Sequence, residues 1–276
     1  MSDAAGGYER PAIAGSGTIA CGVAASASAV GQVILLARSD KSAERASAEL
    51  EAVCGKLEDA ELGRIRTTTD RSELAGCDLV VEAIVEDPAK KAELLGGLAE
   101  AAPDADLAST TSSLGVAELG RACGHADRVF GLHVFNPVPR MELVELCLPD
   151  ALRNGVGKRV RTWCEQLGKR PIEVPDQTGF VVNRLLFPYL FDAVRVLERT
   201  GMAAADVDDC MTLGAGHPMG PLKLLDFVGL DVAQAIGEAL EADSGDPDHA
   251  PPGRLVALVG EGKLGRKAGA GFYEYD

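Results

Sequence analysis

The stretch "PAIAGSGTIA", residues 11–20, runs from a strand-like segment (11–15) into G-x-G-x-x-A and then an alanine-rich helical run (18–30). In such a turn Gly15 permits the tight bend, Gly17 lets a pyrophosphate approach the backbone, and Ala20 packs the helix against the strand. The first N–H groups of the helix have no intrahelical partner and face the anion. Glycine-rich strand–helix turns are common, so the spacing beyond this one matters. A second strand, "QVILLA" (32–37), ends 22 residues after Gly15, close to the roughly 20 of a dinucleotide-binding unit.

Further along, apolar runs keep alternating with helical ones. A charged helical stretch covers 40–62, and strands are expected at "DLVVEAIVE" (78–86), "ADLAST" (105–110), "RVFGLHVF" (128–135) and "MELVEL" (141–146). A helix opens at "DPAKKAELL", where Asp87 can cap and Pro88 takes the first helical position without losing a hydrogen bond. Strands that are apolar on both faces, alternating with helices, predict a doubly wound sheet. After "KRPIEVPDQTG" (169–179) the pattern becomes nearly all helical, broken at 214–221 and by a polar stretch, 241–253, read as a surface loop. The expected organisation is therefore an α/β dinucleotide-binding domain over 1–175 and a smaller all-helical domain over 176–276, with ligand between them.

Composition narrows the function. With 27 Lys and Arg against 42 Asp and Glu, the net charge is −15, and the longest basic cluster is "GKLGRK" (262–267). No nucleic-acid partner is expected of such a chain. An anionic ligand, too, would need basic groups close at hand. No run reaches the roughly 18 apolar residues of a membrane span, and "MSDAAGGYER" lacks the pattern of a secretory leader, so the expected location is cytoplasmic. Seven scattered cysteines contain no CxxC pair, which argues for reduced core thiols and against zinc or any other metal.

The segment "GLHVFNPVPRMELVEL" (131–146) places His133 and Glu145 where the strand pattern asks for apolar residues. If the two runs form a hairpin centred on Pro139, these residues are directly opposed and their side chains share a face. A carboxylate beside an imidazole fixes its tautomer and raises its basicity, as in general acid–base catalysis. A buried polar pair that satisfies only itself fits the same residues. His217, in a Gly/Pro turn, reads as structural, and His125 and His249 as solvated.

Five separated motifs add to this: the segment just quoted, "STTSSL" (109–114), "TGFVVNRLLFPYL" (178–190), "LGAGHPMGPLKLLDFVGLD" (213–231) and "LGRKAGAGFYEY" (264–275). Together, in this order, they resemble the 3-hydroxyacyl-CoA dehydrogenase family, most closely its bacterial 3-hydroxybutyryl-CoA members. The resemblance implies a Rossmann-type N-terminal domain, a helical C-terminal domain that forms a homodimer, and oxidation of a (3S)-3-hydroxyacyl thioester by a nicotinamide cofactor. It makes His133 the catalytic base, Glu145 its partner, and Ser112 and Asn183 contacts of the substrate hydroxyl. It places Asn136 near the nicotinamide, and Glu86 and Lys91 at the cofactor ribose and nicotinamide side. Read without the family, Ser112 would be a helix cap and Asn183 a surface amide.

The chain departs from the family at three places. Ala37, followed by Arg38 and Ser39, stands where relatives end the second strand with Asp; this favours NADP(H) over NAD(H), with Arg38 and Ser39 at the 2′-phosphate, unless the strand ends later and Asp40 is the ribose acid, with Arg38 simply solvated. The stretch between Lys41 and Asp70 is shorter than the helical hairpin that helps relatives hold CoA, so an acyl-carrier-protein thioester stands beside CoA as a substrate. Lys223 replaces an acid. A dinucleotide-binding protein without turnover is the remaining alternative, and the four residues His133, Glu145, Ser112 and Asn183 speak against it.

Overall fold

The computed structural model describes residues 6–275; residues 1–5, part of the stretch expected to lack a leader, lie outside it, as does residue 276. The chain divides into two compact units, one ending at Gln177 and the other starting at Thr178.

The first unit is built on β1 (Pro11–Ala14), β2 (Val33–Leu36), β3 (Ile65–Thr68), β4 (Leu79–Glu82), β5 (Asp106–Ser109), β6 (Val129–Val134), β7 (Leu143–Cys147) and β8 (Arg170–Glu173). They form one sheet in the order β3-β2-β1-β4-β5-β6-β7-β8. The first six run parallel, while β7 is antiparallel to β6 and β8 follows β7. Helices α1 (Thr18–Ser28), α2 (Asp40–Cys54), α3 (Pro88–Ala101), α4 (Val116–Ala122) and α5 (Val156–Gln166) fill the connections. Every residue of β1, β4 and β5 is buried, as expected of parallel strands covered on both faces. Ile13, Leu35, Val81, Phe130, Leu146 and Trp163 belong to the core. This is the doubly wound sheet expected from the alternating pattern. α3 begins as read, with Asp87 accepting from the Lys90 N–H at 2.9 Å and Pro88 at its first position.

Two strands were not anticipated. β3 ("IRTT") and β8 ("RPIE") are the edges of the sheet, where one side of the strand stays unpaired and an apolar run is not required; Pro171 is tolerated there for the same reason. The helix expected over 40–62 stops at Cys54.

The second unit packs α6 (Val182–Thr200), α7 (Ala204–Ala215), α8 (Pro221–Val228), α9 (Leu230–Ser244) and α10 (Gly253–Gly260) around Phe187, Phe191, Leu197, Leu222, Leu230 and Leu255. α9 extends into the stretch expected to be a loop, and a 3₁₀ turn covers Pro247–His249. Buried Asp208 caps α8, accepting from the Leu222 and Lys223 N–H groups at 2.8 and 3.0 Å and from the Tyr273 hydroxyl at 2.7 Å. Asp226, whose carboxyl burial pushes above the usual range, accepts from the N–H groups of Phe272 and Tyr273, each at 2.9 Å. Asp208 and Asp226 thus tie the start of α8 and the "GFYEY" segment into the helical unit. No described helix is long and apolar enough to cross a membrane. The cysteines are free thiols, most of them buried.

Candidate active site

Strand register aligns Ala14, Glu82, Ser109 and Gly131 across β1, β4, β5 and β6. Just beyond this row, at the carboxyl ends, come Gly15, Glu86, Ser112 and His133. β1 lies between β2 and β4, so the strand order reverses here, the place where open α/β sheets bind ligands.

Gly15 has φ +152° and donates its N–H to the Leu36 carbonyl at 3.0 Å. A Cβ on it would lie 2.2 Å from the Ala83 carbonyl oxygen and 3.1 Å from the Ala20 Cβ, so no side chain fits the turn. Gly17 is different: a Cβ there would meet nothing within 4 Å. It precedes α1, whose first turn has neither a side-chain cap nor an acidic residue. Uncapped N–H groups with open space before them fit the diphosphate of a dinucleotide. At the next strand end, Ala37 is buried and its N–H bonds the Thr68 carbonyl at 2.8 Å. Arg38 is therefore the first residue to leave the sheet, and it is exposed. Ser39 caps α2 in a reciprocal pair with Ser42, and Asp40 is already helical.

On β6 and β7, His133 is registered directly opposite Glu145. The two side chains are almost wholly buried, and Nδ1 lies 2.7 Å from Oε2. A carboxylate oxygen at that distance requires Nδ1 to carry the proton, which puts the basic lone pair of the neutral ring on Nε2. The Phe135 ring centroid is 4.5 Å from that of His133. Lys169, its pKa lowered by burial, donates to the carbonyls of Val138, Pro139 and Met141 at 2.6, 3.2 and 2.9 Å and so pins the connection between the two strands. Asn136 is exposed at the start of that connection.

The loop after β5 wraps around one carboxylate oxygen. Glu86 Oε1 accepts from Thr111 Oγ1 at 2.6 Å, from the N–H groups of Ser112 and Ser113 at 2.8 and 2.9 Å, and from Ser113 Oγ at 2.9 Å. Burial alone would raise the Glu86 pKa, but the Lys91 charge and these donors hold it below its ordinary value. The Lys91 ammonium is out of solvent, 2.8 Å from Glu82 Oε1 and 3.4 Å from Glu86 Oε2. No sequence pattern singles out Glu82, Thr111 or Lys169. The one available signal was acid and base embedded in otherwise apolar or helical runs.

In the helical unit, Asn183 is buried in the first turn of α6. His217 Nδ1 lies 3.2 Å from the Tyr189 hydroxyl, in keeping with a structural histidine. His249 is half-buried and bonded to Ser244 Oγ at 2.6 Å, not simply solvated. Among the described residues no group of three or more His, Cys, Asp or Glu is placed to hold a metal ion.

Comparison with known proteins gives two family matches that together span most of the chain. Residues 11–177 match the 3-hydroxyacyl-CoA dehydrogenase NAD binding domain, and residues 179–275 match the 3-hydroxyacyl-CoA dehydrogenase C-terminal domain. A 3-hydroxybutyryl-CoA dehydrogenase of Mycobacterium tuberculosis is 38% identical, with all of both chains covered. The human mitochondrial hydroxyacyl-coenzyme A dehydrogenase is 39% identical over 95% of this chain and 90% of its own. The solved (S)-3-hydroxybutyryl-CoA dehydrogenase PaaH1 from Ralstonia eutropha superposes with a TM-score of 0.91 at 34% identity, covering 98% of this chain and 99% of that one. With its dinucleotide turn, its opposed His–Glu pair and matches to both domain models, the chain belongs to the 3-hydroxyacyl-CoA dehydrogenase family.

Proposed function

We propose that the protein interconverts (3S)-3-hydroxybutyryl-CoA and acetoacetyl-CoA, with NADP(H) preferred over NAD(H). The observation that carries the reaction is the buried His133–Glu145 pair at the carboxyl edge of the sheet, 2.7 Å between Nδ1 and Oε2. In the oxidative direction His133 Nε2 takes the proton of the C3 hydroxyl, and Glu145 stabilises the imidazolium that forms. The bound nicotinamide supplies the acceptor for the C3 hydride. Ser112 and Asn183 orient the hydroxyl; Gly17 and the α1 N–H groups would hold the diphosphate, with Gly15 and Ala20 shaping the turn, and Asn136, Glu86 and Lys91 would serve the nicotinamide and ribose side. Proton transfer by a positioned base is worth roughly 10²–10⁴-fold.

Cofactor preference rests on the end of β2. An acid there would accept from the ribose 2′-OH of NAD and repel a 2′-phosphate. Ala37 removes that repulsion, and exposed Arg38 and the Ser39 hydroxyl offer a phosphate a charge-assisted partner and a hydrogen bond.

The helical unit, residues 176–276 as read from the sequence, is the substrate and dimerisation domain. Leu185 and Leu213 are 70% and 85% exposed and Phe227 is 48% exposed, apolar surface suited to a second copy of the chain. A carrier-protein thioester is the alternative substrate. The observation on its side is that α2 ends at Cys54 and only a turn and a short 3₁₀ helix (Leu62–Arg64) precede β3, leaving little structure there to grip adenosine diphosphate.

The test is the change in 340 nm absorbance with acetoacetyl-CoA or an acetoacetyl carrier protein, each with NADPH and NADH. The highest kcat/KM is expected for acetoacetyl-CoA with NADPH. Absence of turnover with every pair would refute the reaction.

A further inference from the structure

Glu82 has no role in the reading above, yet its carboxylate is completely enclosed at the last position of β4. Oε1 accepts from Lys91 Nζ and from the Ile84 N–H, both at 2.8 Å, and Oε2 accepts from Ser109 Oγ at 2.6 Å. Lys91 is equally enclosed. A fully buried ion pair is poor evidence for stability, because well-packed apolar side chains of the same volume do as well or better. The pair calls for another explanation, and its connections supply one.

The Lys91 ammonium bridges two acids, Glu82 at 2.8 Å and Glu86 at 3.4 Å, with the Ile84 carbonyl at 3.3 Å. Each acid grips the same loop. Glu82 holds Ser109 at its start, and Glu86 holds Thr111 and the N–H groups of Ser112 and Ser113 at its turn. Lys91 ties the two grips to each other, closing a ring of polar contacts around residues 109–113. We propose that Glu82 is a positioning residue. Through Lys91 and Ser109 it fixes Glu86 relative to the end of β5, and thereby sets where Ser112 stands at the sheet edge. This rests on the role given to Ser112 above.

Four proteins decide the matter: wild type, Glu82→Gln, Ser109→Ala, and Val160→Ala as a control for lost stability alone. Each is measured for melting temperature, amide exchange over residues 110–114, and kcat and KM for acetoacetyl-CoA. Glu82→Gln is expected to lower kcat roughly 10- to 100-fold, the loss that a misplaced contact of about an ångström causes, and to speed exchange over 110–114. Val160→Ala opens a core cavity on α5 without touching the network, so it lowers the melting temperature while kcat and exchange over 110–114 stay near wild type. A purely structural Glu82 would make Glu82→Gln behave in the same way, with melting lowered and kcat and exchange unmoved, which would overturn the proposal. Unchanged exchange over 110–114 in Glu82→Gln would overturn it too. Should Glu82→Gln not fold, Ser109→Ala keeps both charges and carries the test, with faster exchange and roughly a 5- to 30-fold loss of kcat from two hydrogen bonds, to Glu82 at 2.6 Å and from the Thr111 N–H at 3.3 Å. A wild type without turnover would refute the reaction and not the positioning, which the exchange measurement still decides.

Discussion

Glu145→Gln isolates the charge of the His133 partner from its shape. Glutamine has the same length and keeps a carbonyl oxygen that can accept from Nδ1, so the lost quantity is the negative charge beside a ring that becomes cationic during the reaction. The contact is 2.7 Å long and nearly excluded from water. Opposite charges with centres about 4 Å apart attract by about 4 kcal/mol at an effective dielectric of about 20. The amide acceptor returns about 1 kcal/mol of that as an ordinary hydrogen bond. Some relaxation of the pocket leaves a net loss of about 2–3 kcal/mol in transition-state stabilisation, equivalent to a kcat roughly 30- to 150-fold lower. His133→Gln removes the proton acceptor itself and should cost more, roughly 10²–10⁴-fold. Steady-state reduction of acetoacetyl-CoA followed at 340 nm gives kcat, and fluorescence titration gives the cofactor Kd, expected to stay within about threefold because the diphosphate turn is untouched. A Glu145→Gln kcat within threefold of wild type would mean that the carboxylate does not stabilise the imidazolium. A normal His133→Gln would remove the histidine from the mechanism altogether.

Arg38→Ala and Ala37→Asp should each lose NADPH activity selectively; equal losses with the two cofactors, or a wild type that prefers NADH, would show that no phosphate is read there. Gly15→Ala and Gly17→Ala should separate folding from binding. The first forces a Cβ to 2.2 Å from the Ala83 carbonyl at φ +152° and should destabilise by about 2–5 kcal/mol, while the second should melt like wild type but bind dinucleotide more weakly; similar melting of the two would contradict the geometry. Light scattering at micromolar concentration should give a dimer mass, and a monomer would rule out the apolar face of the helical unit as an interface. Because Glu86 is held below its ordinary pKa of 4.5, its grip on residues 111–113 is complete above that value and is lost as pH falls through the lowered one. Exchange at Ser112 and Ser113, corrected for intrinsic rates, should therefore stay slow at pH 5 and rise only below about 4.5; a rise already at pH 6 would show that something else holds the loop.

The features legible in the sequence were those governed by a strict period or a steric exclusion. Side chains alternate along a strand, so equal distances of His133 and Glu145 from Pro139 were enough to predict their opposition, and the register agrees. The glycine turn was legible because Gly15 must be glycine wherever the first strand meets the Ala83 carbonyl. β3 and β8 escaped notice because sheet edges impose no apolar run on "IRTT" or "RPIE". Glu82 escaped for another reason. In "DLVVEAIVE", read as a strand over 78–86, it is one polar residue in mid-run, and Lys91 is set at the cofactor by the family resemblance with nothing in the sequence to pair it with Glu82. Only the turn between β4 and α3 brings the two to 2.8 Å, and no spacing rule encodes that return.

The same geometry bears on how a chain of net charge −15 can hold a polyanionic cofactor and substrate. Net charge counts acids wherever they lie, whereas a phosphate at the sheet edge responds mainly to charges within a screening length of about 8–10 Å at physiological salt. Many of the exposed acids sit on helix surfaces, such as Glu44, Glu49 and Glu51 on α2 and Glu238, Glu241 and Asp243 on α9. At the dinucleotide edge the pattern inverts. α1 contains no charged residue and has no acid in its first turn, and Arg38 is exposed at the end of β2. Three carboxylates at this edge turn their oxygens to protein donors: Glu82 and Glu86 share Lys91, Glu86 also takes the donors of residues 111–113, and Glu145 accepts from His133 Nδ1. Asp40, exposed in the first turn of α2, offsets part of the Arg38 charge. The acidity of the chain is compatible with anion binding because the diphosphate turn itself carries no acid and offers uncapped helix N–H groups.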